Sequence, residues 1–202
     1  MFYLDSYEFE TKKIDVDQLI TEYGLGKRNF SQVNLTQTSL TDVNLAGVKL
    51  WRANLAEINL SRTILSRADL SQANLFRTML WRTDFQRSSL EQAKCNGALL
   101  ICANLSQANL CESVFRYADM RLACLLNANM QGADLSMANL SYADLSSANL
   151  RGANLRGTIL TGANLTKTNF SNTNLAEAVL LGADLSQAIL PRAEARCLTT
   201  TT

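Results

Sequence analysis

A five-residue period runs without interruption through most of this 202-residue chain. Every fifth residue from Phe30 to Leu190 is bulky and apolar, and 26 of these 33 positions are Leu. The position two residues earlier, from Val33 to Ala188, is small or β-branched, with 19 Ala and 7 Thr among 32 residues. Neither a helix with 3.6 residues per turn nor a strand with a period of two can place all these Leu side chains on one face. The chain must therefore follow a different periodic path.

A chain that turns through about a right angle every five residues satisfies this period. Four pentapeptides then close a square coil of 20 residues, with each bulky residue (the centre of its repeat) pointing at the axis. The small residue also faces inward, near the corner, while the Asn or Asp before the centre and the two residues after it face water. Stacked coils pair their backbones as strands do, so the repeats predict an all-β rod of about eight coils, about 38 Å long.

The repeat has the form A(D/N)LXX, as in Ala53-Asn54-Leu55 and Ala133-Asp134-Leu135, and it resembles the repeat of the pentapeptide-repeat family. The resemblance covers about residues 28 to 190. It implies a right-handed quadrilateral β-helix, a handedness that the period alone does not supply. No phase break interrupts the repeat, so we expect no projecting loop. Arg28 stands where the family has Ala, so we expect the solenoid to start one repeat later or to be capped there.

The segment before the repeat is predicted to form a short helical cap. Asp15 and Gln18 have the spacing of a capping box. An apolar stripe at helical spacing follows, formed by Val16, Leu19, Ile20 and Tyr23. Gly24 and Gly26 then supply the end of the helix. The residues from Tyr23 to Phe30 resemble the cap that leads into the first coil in cyanobacterial members of the family.

The chain is thus divided into an N-terminal arm and capping helix (1–27), a repeat rod (28–190) and a C-terminal tail (191–202). Residues 1–13 are rich in aromatic side chains and are interpreted as a short strand or a wrapping arm. Pro191 ends the repeat, and no amphipathic helix follows it to cover the last coil. Either residues 192–198 fold back over that coil, or the coil docks to a second copy.

The composition excludes several classes of function. Nineteen Lys and Arg against 18 Asp and Glu leave a formal net charge of +1, which argues against both a nucleic-acid binder and a strongly acidic DNA mimic. The chain has no His, the commonest general base and a frequent zinc ligand. Five cysteines show neither CxxC spacing nor an even count: Cys95, Cys102, Cys111, Cys124 and Cys197. Without a signal-peptide pattern or a membrane-spanning apolar run, we expect a cytoplasmic protein with reduced thiols.

Two sets of charged residues are candidates for a binding or catalytic site. Six arginines lie two residues after a centre, namely Arg52, Arg62, Arg67, Arg77, Arg82 and Arg87. A phosphate-binding patch is one interpretation, but the square coil spreads them around the rod, which favours a solvated rim. Six aspartates replace Asn before a centre: Asp69, Asp84, Asp119, Asp134, Asp144 and Asp184. Their position predicts hydrogen bonds to turns and not acid/base catalysis. We therefore expect no catalytic residue, cofactor or metal.

One outer face of the rod is predicted to be an interaction surface. It carries apolar side chains where the repeat prefers Asn and Ser: Met79, Trp81, Leu99, Ile101, Leu122, Tyr142, Ile159, Val179 and Leu181. Residues 20 apart stack in a square coil, so these side chains form a stripe, and contiguous exposed apolar patches usually mark interfaces. In an alternative interpretation the N-terminal arm, with Phe2, Tyr3 and Phe9, folds over the stripe.

The sequence favours a non-catalytic scaffold that binds an unidentified protein partner, or a second copy as a homodimer, through this face. The resemblance implies one alternative, because quinolone-resistance members of the family mimic DNA and bind gyrase. An inhibitor or protector of gyrase of that kind needs a strongly negative rod. This rod is slightly positive, and the projecting loops that some of those proteins carry are absent from its repeat. We expect no specific binding to nucleic acid and none to membranes.

Overall fold

The computed structural model describes residues 12–36 and 38–191 of the chain. Strand β1 (Lys12–Lys13) comes first, followed by helix α1 (Val16–Gly24) and strand β2 (Val33–Asn34). β1 pairs with β2 in parallel, so the N-terminal arm enters the described structure as a strand beside the first coil. Among the described residues, none of the helical structure has the length and apolar character that a membrane crossing requires.

Helix α1 begins after Asp15 and ends at a glycine-dependent turn. The Asp15 side chain makes no capping hydrogen bond, so the predicted capping box with Gln18 is wrong. The Gln18 side chain instead points along the helix, where its Nε2 donates to Glu22 Oε1 at 2.8 Å. At the other end, Gly26 adopts a φ of +97°, and the Lys27 amide donates to the Glu22 carbonyl at 3.0 Å. This is the Schellman arrangement that favours glycine.

From Asn29 onward the backbone advances by one coil every 20 residues. Parallel β-bridges join the residue before each centre (the bridge position) to the residue 20 places later, as at Met79 and Leu99. The series runs from Asn29 to Ile189, and in residues 38–190 two turn residues separate successive bridges with no inserted loop. The solenoid therefore starts with the repeat of Phe30, and not one repeat later.

Each corner of the coil is a β-turn whose third residue has a positive φ. In the turn from Leu50 to Ala53, the Ala53 amide donates to the Leu50 carbonyl at 2.9 Å, and Arg52 has a φ of +55°. A positive φ at the third residue alone is the geometry of a type II turn. Every described residue at this position of the rod has a φ between +50° and +69°, whether or not it is glycine. The left-handed conformation costs a residue with a Cβ about 1–2 kcal/mol, so the backbone ladder between coils must offset a strain repeated at most corners.

The core is filled by the centres and the small inward residues. The centres from Leu35 to Leu165 are all buried, as are the alanines from Ala53 to Ala163. Burial of one such Leu side chain contributes about 1.5–3 kcal/mol. Where Thr replaces Ala, its hydroxyl usually bonds the preceding coil, and Thr158 Oγ1 donates to the Leu135 carbonyl at 2.8 Å. The core is thus a stack of similar layers joined by hydrogen bonds along the rod axis.

At the N-terminal end, α1 covers the first coil. Leu19 of the helix is completely buried and belongs to the same hydrophobic cluster as Ile14 and Phe30. The Tyr23 hydroxyl donates to the Ala46 carbonyl at 2.9 Å, which ties the last turn of the helix to the rod. Residues 1–11, with Phe2, Tyr3 and Phe9, lie outside the described residues, so the wrapping arm stays a prediction.

The C-terminal end is less covered than the N-terminal end. Leu180, Leu185 and Leu190 of the last coil are only partly buried, whereas the centres further inside are buried completely. Pro191 is the last described residue. The predicted fold-back of residues 192–198 therefore lies outside the described residues.

Candidate interaction face

The outer faces of the rod differ in how much apolar side chain they expose. One face, which we call the apolar face, comprises residues 76–82 and the segments stacked on them every 20 residues, up to 176–182. Each segment has a bridge position in the middle and a two-residue turn on either side. Of the 16 large hydrophobic side chains that are exposed among the described residues, 11 lie on this face. These are Phe76, Met79, Trp81, Leu99, Tyr117, Leu122, Met137, Tyr142, Ile159, Val179 and Leu181.

The structure places all nine residues of the predicted interaction surface on the apolar face. Eight of them are among the exposed side chains, and Ile101 is half-buried. The exposed side chains of this face leave between 38% and 68% of their surface open to solvent. Parallel bridges join Met79 to Leu99 and Ile159 to Val179, so these side chains stack in adjacent coils.

Sequence reasoning missed Phe76, Tyr117 and Met137, which lie on the same face. It followed only the turn after each bridge position, whereas the turn before the bridge borders the face as well. The 20-residue spacing between Tyr117 and Met137 was the available signal. Both edges of the apolar face therefore carry large side chains.

A shallow groove of about 450 Å³ runs across the middle of the apolar face. Its lining consists of Ile101, Arg121, Leu122, Asn139, Ser141 and Tyr142. Arg121 is held by Asp119, with Nε donating to Oδ1 at 2.9 Å and Nη2 donating to Oδ2 at 2.7 Å. The charged part of the groove is thus paired within the protein, and Leu122 and Tyr142 supply its apolar walls.

Two large side chains of the apolar face lie against glycines of the next coil. A Cβ built on Gly162 would lie 2.5 Å from Tyr142 Cε1, and one on Gly157 would lie 2.6 Å from Met137 Sδ. Because glycine has no side chain, the ring and the thioether rest against the backbone itself. The absence of a Cβ at these positions lets Tyr142 and Met137 pack along the face.

The two ends of the apolar face differ in how their charged side chains are paired. In the coil of Met79, the guanidinium of Arg77 lies 5.0 Å from the ring centroid of Phe76. In the same coil, the guanidinium of Arg82 lies 5.3 Å from the ring centroid of Trp81. In the last coil, Glu177 Oε1 accepts a hydrogen bond from Arg156 Nη2 at 2.8 Å. Arginines stacked on aromatic rings therefore lie at one end, and an ion pair between an arginine and a carboxylate lies at the other.

Elsewhere on the rod, arginines bond polar side chains of the neighbouring coil. Arg62 Nε donates to Asp42 Oδ1 at 2.6 Å, and this contact holds the pKa of Asp42 below its usual value. Arg52 Nε donates to Gln72 Oε1 at 2.6 Å, and Gln72 donates in turn to Gln92. These contacts link side chains 20 residues apart along the rod, and they fit a solvated rim better than a phosphate site.

The aspartates before the centres bond turn amides, as the sequence predicts. Asp69 Oδ1 accepts the amide of Ser71 at 3.0 Å. Equivalent bonds form at Asp84, Asp119, Asp134, Asp144 and Asp184. At Asp184, hydrogen bonds from the hydroxyl and the amide of Ser186 lower the pKa of the carboxyl group. These aspartates are therefore parts of the turns.

The four cysteines in the described part of the chain are free thiols in different surroundings. Cys95 is completely buried in the core, and this burial raises the pKa of its thiol. Cys102 is exposed on the apolar face, and Cys111 has a pKa raised by partial burial and then by Glu91. Within residues 12–36 and 38–191, no group of three His, Cys, Asp or Glu side chains could hold a metal ion.

Comparison with known proteins places this architecture in one family. The family model described as pentapeptide repeats (8 copies) matches five segments that together span the rod: 29–62, 53–92, 88–127, 125–157 and 158–190. No curated protein sequence matches the chain significantly.

Two solved structures show the same fold. HetL, a pentapeptide repeat protein involved in heterocyst differentiation regulation from the cyanobacterium Nostoc sp. strain PCC 7120, is 28% identical, with a TM-score of 0.61. That match covers 89% of this chain and 98% of HetL. A trypsin-treated variant of QnrB1, a plasmid-mediated fluoroquinolone resistance protein, is 17% identical, with a TM-score of 0.52 and coverage of 83% and 91%. The chain therefore belongs to the pentapeptide repeat family, and its fold is a right-handed quadrilateral β-helix.

Proposed function

We propose that this protein is a non-catalytic scaffold that binds a protein partner, or a second copy of itself, through the apolar face. The observation that carries this proposal is the concentration of 11 of the 16 exposed large hydrophobic side chains on one side of the rod. The face holds five of the 12 outward positions of each coil, so an even distribution would place fewer than half of them there. Contiguous apolar patches on soluble proteins are typical of interaction sites.

The kinds of side chain on the apolar face support the same function. Aromatic residues and Met are enriched in the centres of protein–protein interfaces, and this face carries Trp81, Tyr117, Tyr142, Met79 and Met137. Its bridge positions depart from the polar residues that the repeat prefers there. An apolar side chain in contact with water contributes nothing to the core, so these departures support a role in binding.

The finer features of the fold suit a rigid platform. We propose that about eight coils form the rod and that α1 caps its N-terminal end, where Leu19 closes over the first coil. Each coil is tied to the next by backbone hydrogen bonds, such as that from the Leu80 amide to the Leu99 carbonyl at 2.8 Å. In such a solenoid each repeat contacts mainly its neighbours, and an extended outer surface is left for binding.

The similarity to HetL supports a regulatory role, because HetL is involved in heterocyst differentiation regulation. The formal net charge of +1 disfavours the alternative, a DNA-mimicking inhibitor or protector of gyrase, because a mimic has to replace phosphate charge. The likeness to QnrB1 concerns the fold alone. We further propose that the protein acts in a reducing, cytoplasmic environment, where its free thiols would persist.

The test replaces two residues of the apolar face, Trp81→Ser and Leu99→Asn, in one chain. The protein carries a tag for affinity capture from cells, and its sedimentation is measured in parallel. We expect the double variant to fold as the wild type does, and either to sediment as a smaller species or to lose a partner that the wild type captures. The matched control is Trp51→Ser with Leu126→Asn, since both residues occupy turn positions on other sides of the rod.

The proposal is wrong if the double variant keeps the sedimentation and every captured partner of the wild type. If the wild type is monomeric and the variant keeps its partners but loses thermal stability, the apolar face is covered by the N-terminal arm. A loss of binding in the control variant alone would place the interaction on another side of the rod.

A further inference from the structure

We infer that two copies of this chain pack side by side in antiparallel orientation through the apolar face, with the coil of Met79 against the coil of Val179 of the second copy. This inference rests on the proposed function and names the partner. Two identical surfaces that bind each other about a two-fold axis must be self-complementary. Here that axis would be perpendicular to the rod and would cross the apolar face between Asp119 and Asn139.

The bridge positions of the face match one another under this symmetry. The order along the rod is Met79, Leu99, Asp119, Asn139, Ile159 and Val179. Reversal of the order places Met79 opposite Val179, and Leu99 opposite Ile159. The two polar residues, Asp119 and Asn139, also face each other. Apolar side chains therefore meet apolar side chains at the four outer coils, and a carboxylate meets an amide in the middle.

The turn that follows each bridge position is complementary in size. Reversal places Trp81 opposite Leu181, and Leu122 opposite Tyr142. It also places Arg82 opposite Gly182, a position where nothing lies within 4 Å of a built Cβ. The long side chains of the first coil would thus extend over the open surface of the last coil in the second copy.

The turn that precedes each bridge position is complementary in charge. Reversal places Arg77 opposite Glu177, which is already bonded by Arg156 of its own rod, so each Arg77 of the dimer would join an existing ion pair. In the same column, Tyr117 falls opposite Met137, and an aromatic ring and a thioether attract each other. Like charges directly opposite each other are avoided in all five outward columns of the face.

Other arrangements of the same face are less favourable. Parallel rods related by a two-fold axis along their length would place Asp119 against Asp119 of the second copy. An antiparallel shift by one coil in one direction would do the same, and the shift in the other direction would place Asp119 against Ile159. Like charges directly opposite each other on strands are destabilising, and a carboxylate against an apolar side chain loses its hydration.

The size of the face suits a dimer. Its six coils span about 24 Å at a spacing of about 4.8 Å. A standard protein–protein interface buries about 800 Å² on each partner. The 11 exposed hydrophobic side chains together with the charged residues at both ends offer a surface of this order.

The test is charge complementation between two surface variants, Leu99→Asp and Ile159→Lys. The repeat carries Asp69 and Lys94 at the same bridge position, so both substitutions suit the fold. Each variant alone would place two unpaired charges against apolar side chains, and we expect the dissociation constant of its dimer to rise about 100-fold or more. In an equal mixture, the two variants can form a heterodimer. Asp at position 99 of one copy would then face Lys at position 159 of the other, and Leu99 would face Ile159 at the second such contact. We therefore expect the mixture to form dimers again.

Sedimentation equilibrium over a range of protein concentrations gives the result. A dimeric wild type, two weakened variants and a restored mixture support the antiparallel dimer. A monomeric wild type, variants that stay dimeric, or a mixture that is not restored overturns it. Such a result would leave the scaffold proposal to be decided by the partner capture described above. The variant Trp81→Ser with Leu99→Asn would still lose a different protein partner even when no dimer forms.

Discussion

The ring of Tyr142 covers Gly162 so closely that a Cβ on this glycine would lie 2.5 Å from Tyr142 Cε1. Both residues occupy the same corner of the coil, one coil apart, and both have a positive φ, +59° and +65°. Glycine at position 162 is therefore favoured for two separate reasons, the conformation of its backbone and the space taken by the ring.

We expect Gly162→Ala to lower the free energy of unfolding by more than Gly152→Ala. Gly152 has a similar φ of +69°, but nothing lies within 4 Å of its built Cβ, so alanine there pays only the conformational cost of about 1 kcal/mol. Chemical denaturation measures both changes. In a Tyr142→Ser background the two alanine variants should become equal, and a difference that persists there would show that the ring is not its cause.

Replacement of Ala138 by Trp should destabilise the rod by more than about 3 kcal/mol. Ala138 is completely buried beside the corner of its coil, where no space is left for an indole. The control is Ser146→Trp, at a turn position equivalent to those of Trp51 and Trp81, and its effect should be within about 0.5 kcal/mol. Equal losses in thermal melts would contradict the assignment of inward and outward positions.

Thr158→Val should cost about 1 kcal/mol because it removes the hydrogen bond from Thr158 Oγ1 to the Leu135 carbonyl in the preceding coil. Valine fits the site sterically, since Val48 is completely buried at the equivalent position. Thr21→Val on α1, at an exposed position, is the control and should change stability little. A Thr158→Val protein as stable as the wild type in urea would show that this bond adds nothing.

The arginines outside the apolar face should give no specific binding to DNA. Arg62 is bonded to Asp42, and Arg52 to Gln72, so their guanidinium groups are engaged within the rod. We expect a dissociation constant for duplex DNA at physiological salt no tighter than about 1 μM, as for generic binding. A titration that finds tighter binding with a steep salt dependence would contradict this.

Cysteine alkylation should distinguish the core from the surface. Cys95 is completely buried, and this burial raises the pKa of its thiol, so we expect it to be shielded from alkylation in the folded protein. Cys102 is exposed in the single chain and should react with iodoacetamide in the folded protein at concentrations where it is monomeric. Mass spectrometry of peptides labelled before and after unfolding tests this, and early labelling of Cys95 would mean that the core opens locally.

The coil and its core were predictable because a single period controls them. Every inward position, from Leu35 to Leu165, follows from a spacing of five, and the stacking of Met79 on Leu99 follows from a coil of 20. The stripe of apolar side chains could be found in the same way. The family resemblance, and not the period, supplied the handedness.

What the sequence did not predict depends on conformation and not on spacing. A positive φ at Arg52 has no sequence signal, because arginine rarely adopts it and only the geometry of the corner imposes it. Whether the Thr158 hydroxyl donates a hydrogen bond to its own turn or to the preceding coil depends on distances that only coordinates show. The hydrogen bond from the Gln18 side chain to Glu22, in place of a capping bond at the start of α1, likewise depends on side-chain conformation.

The 20-residue bridge spacing also limits how such a gene can grow or shrink. Loss or gain of one pentapeptide would keep every Leu in the core, yet it would rotate everything beyond that point by a quarter turn. The apolar face would then be cut in two, with Met79 and Val179 on different sides of the molecule. Only duplication or deletion of four repeats together preserves a continuous surface. Selection for binding would therefore favour changes in length by whole coils.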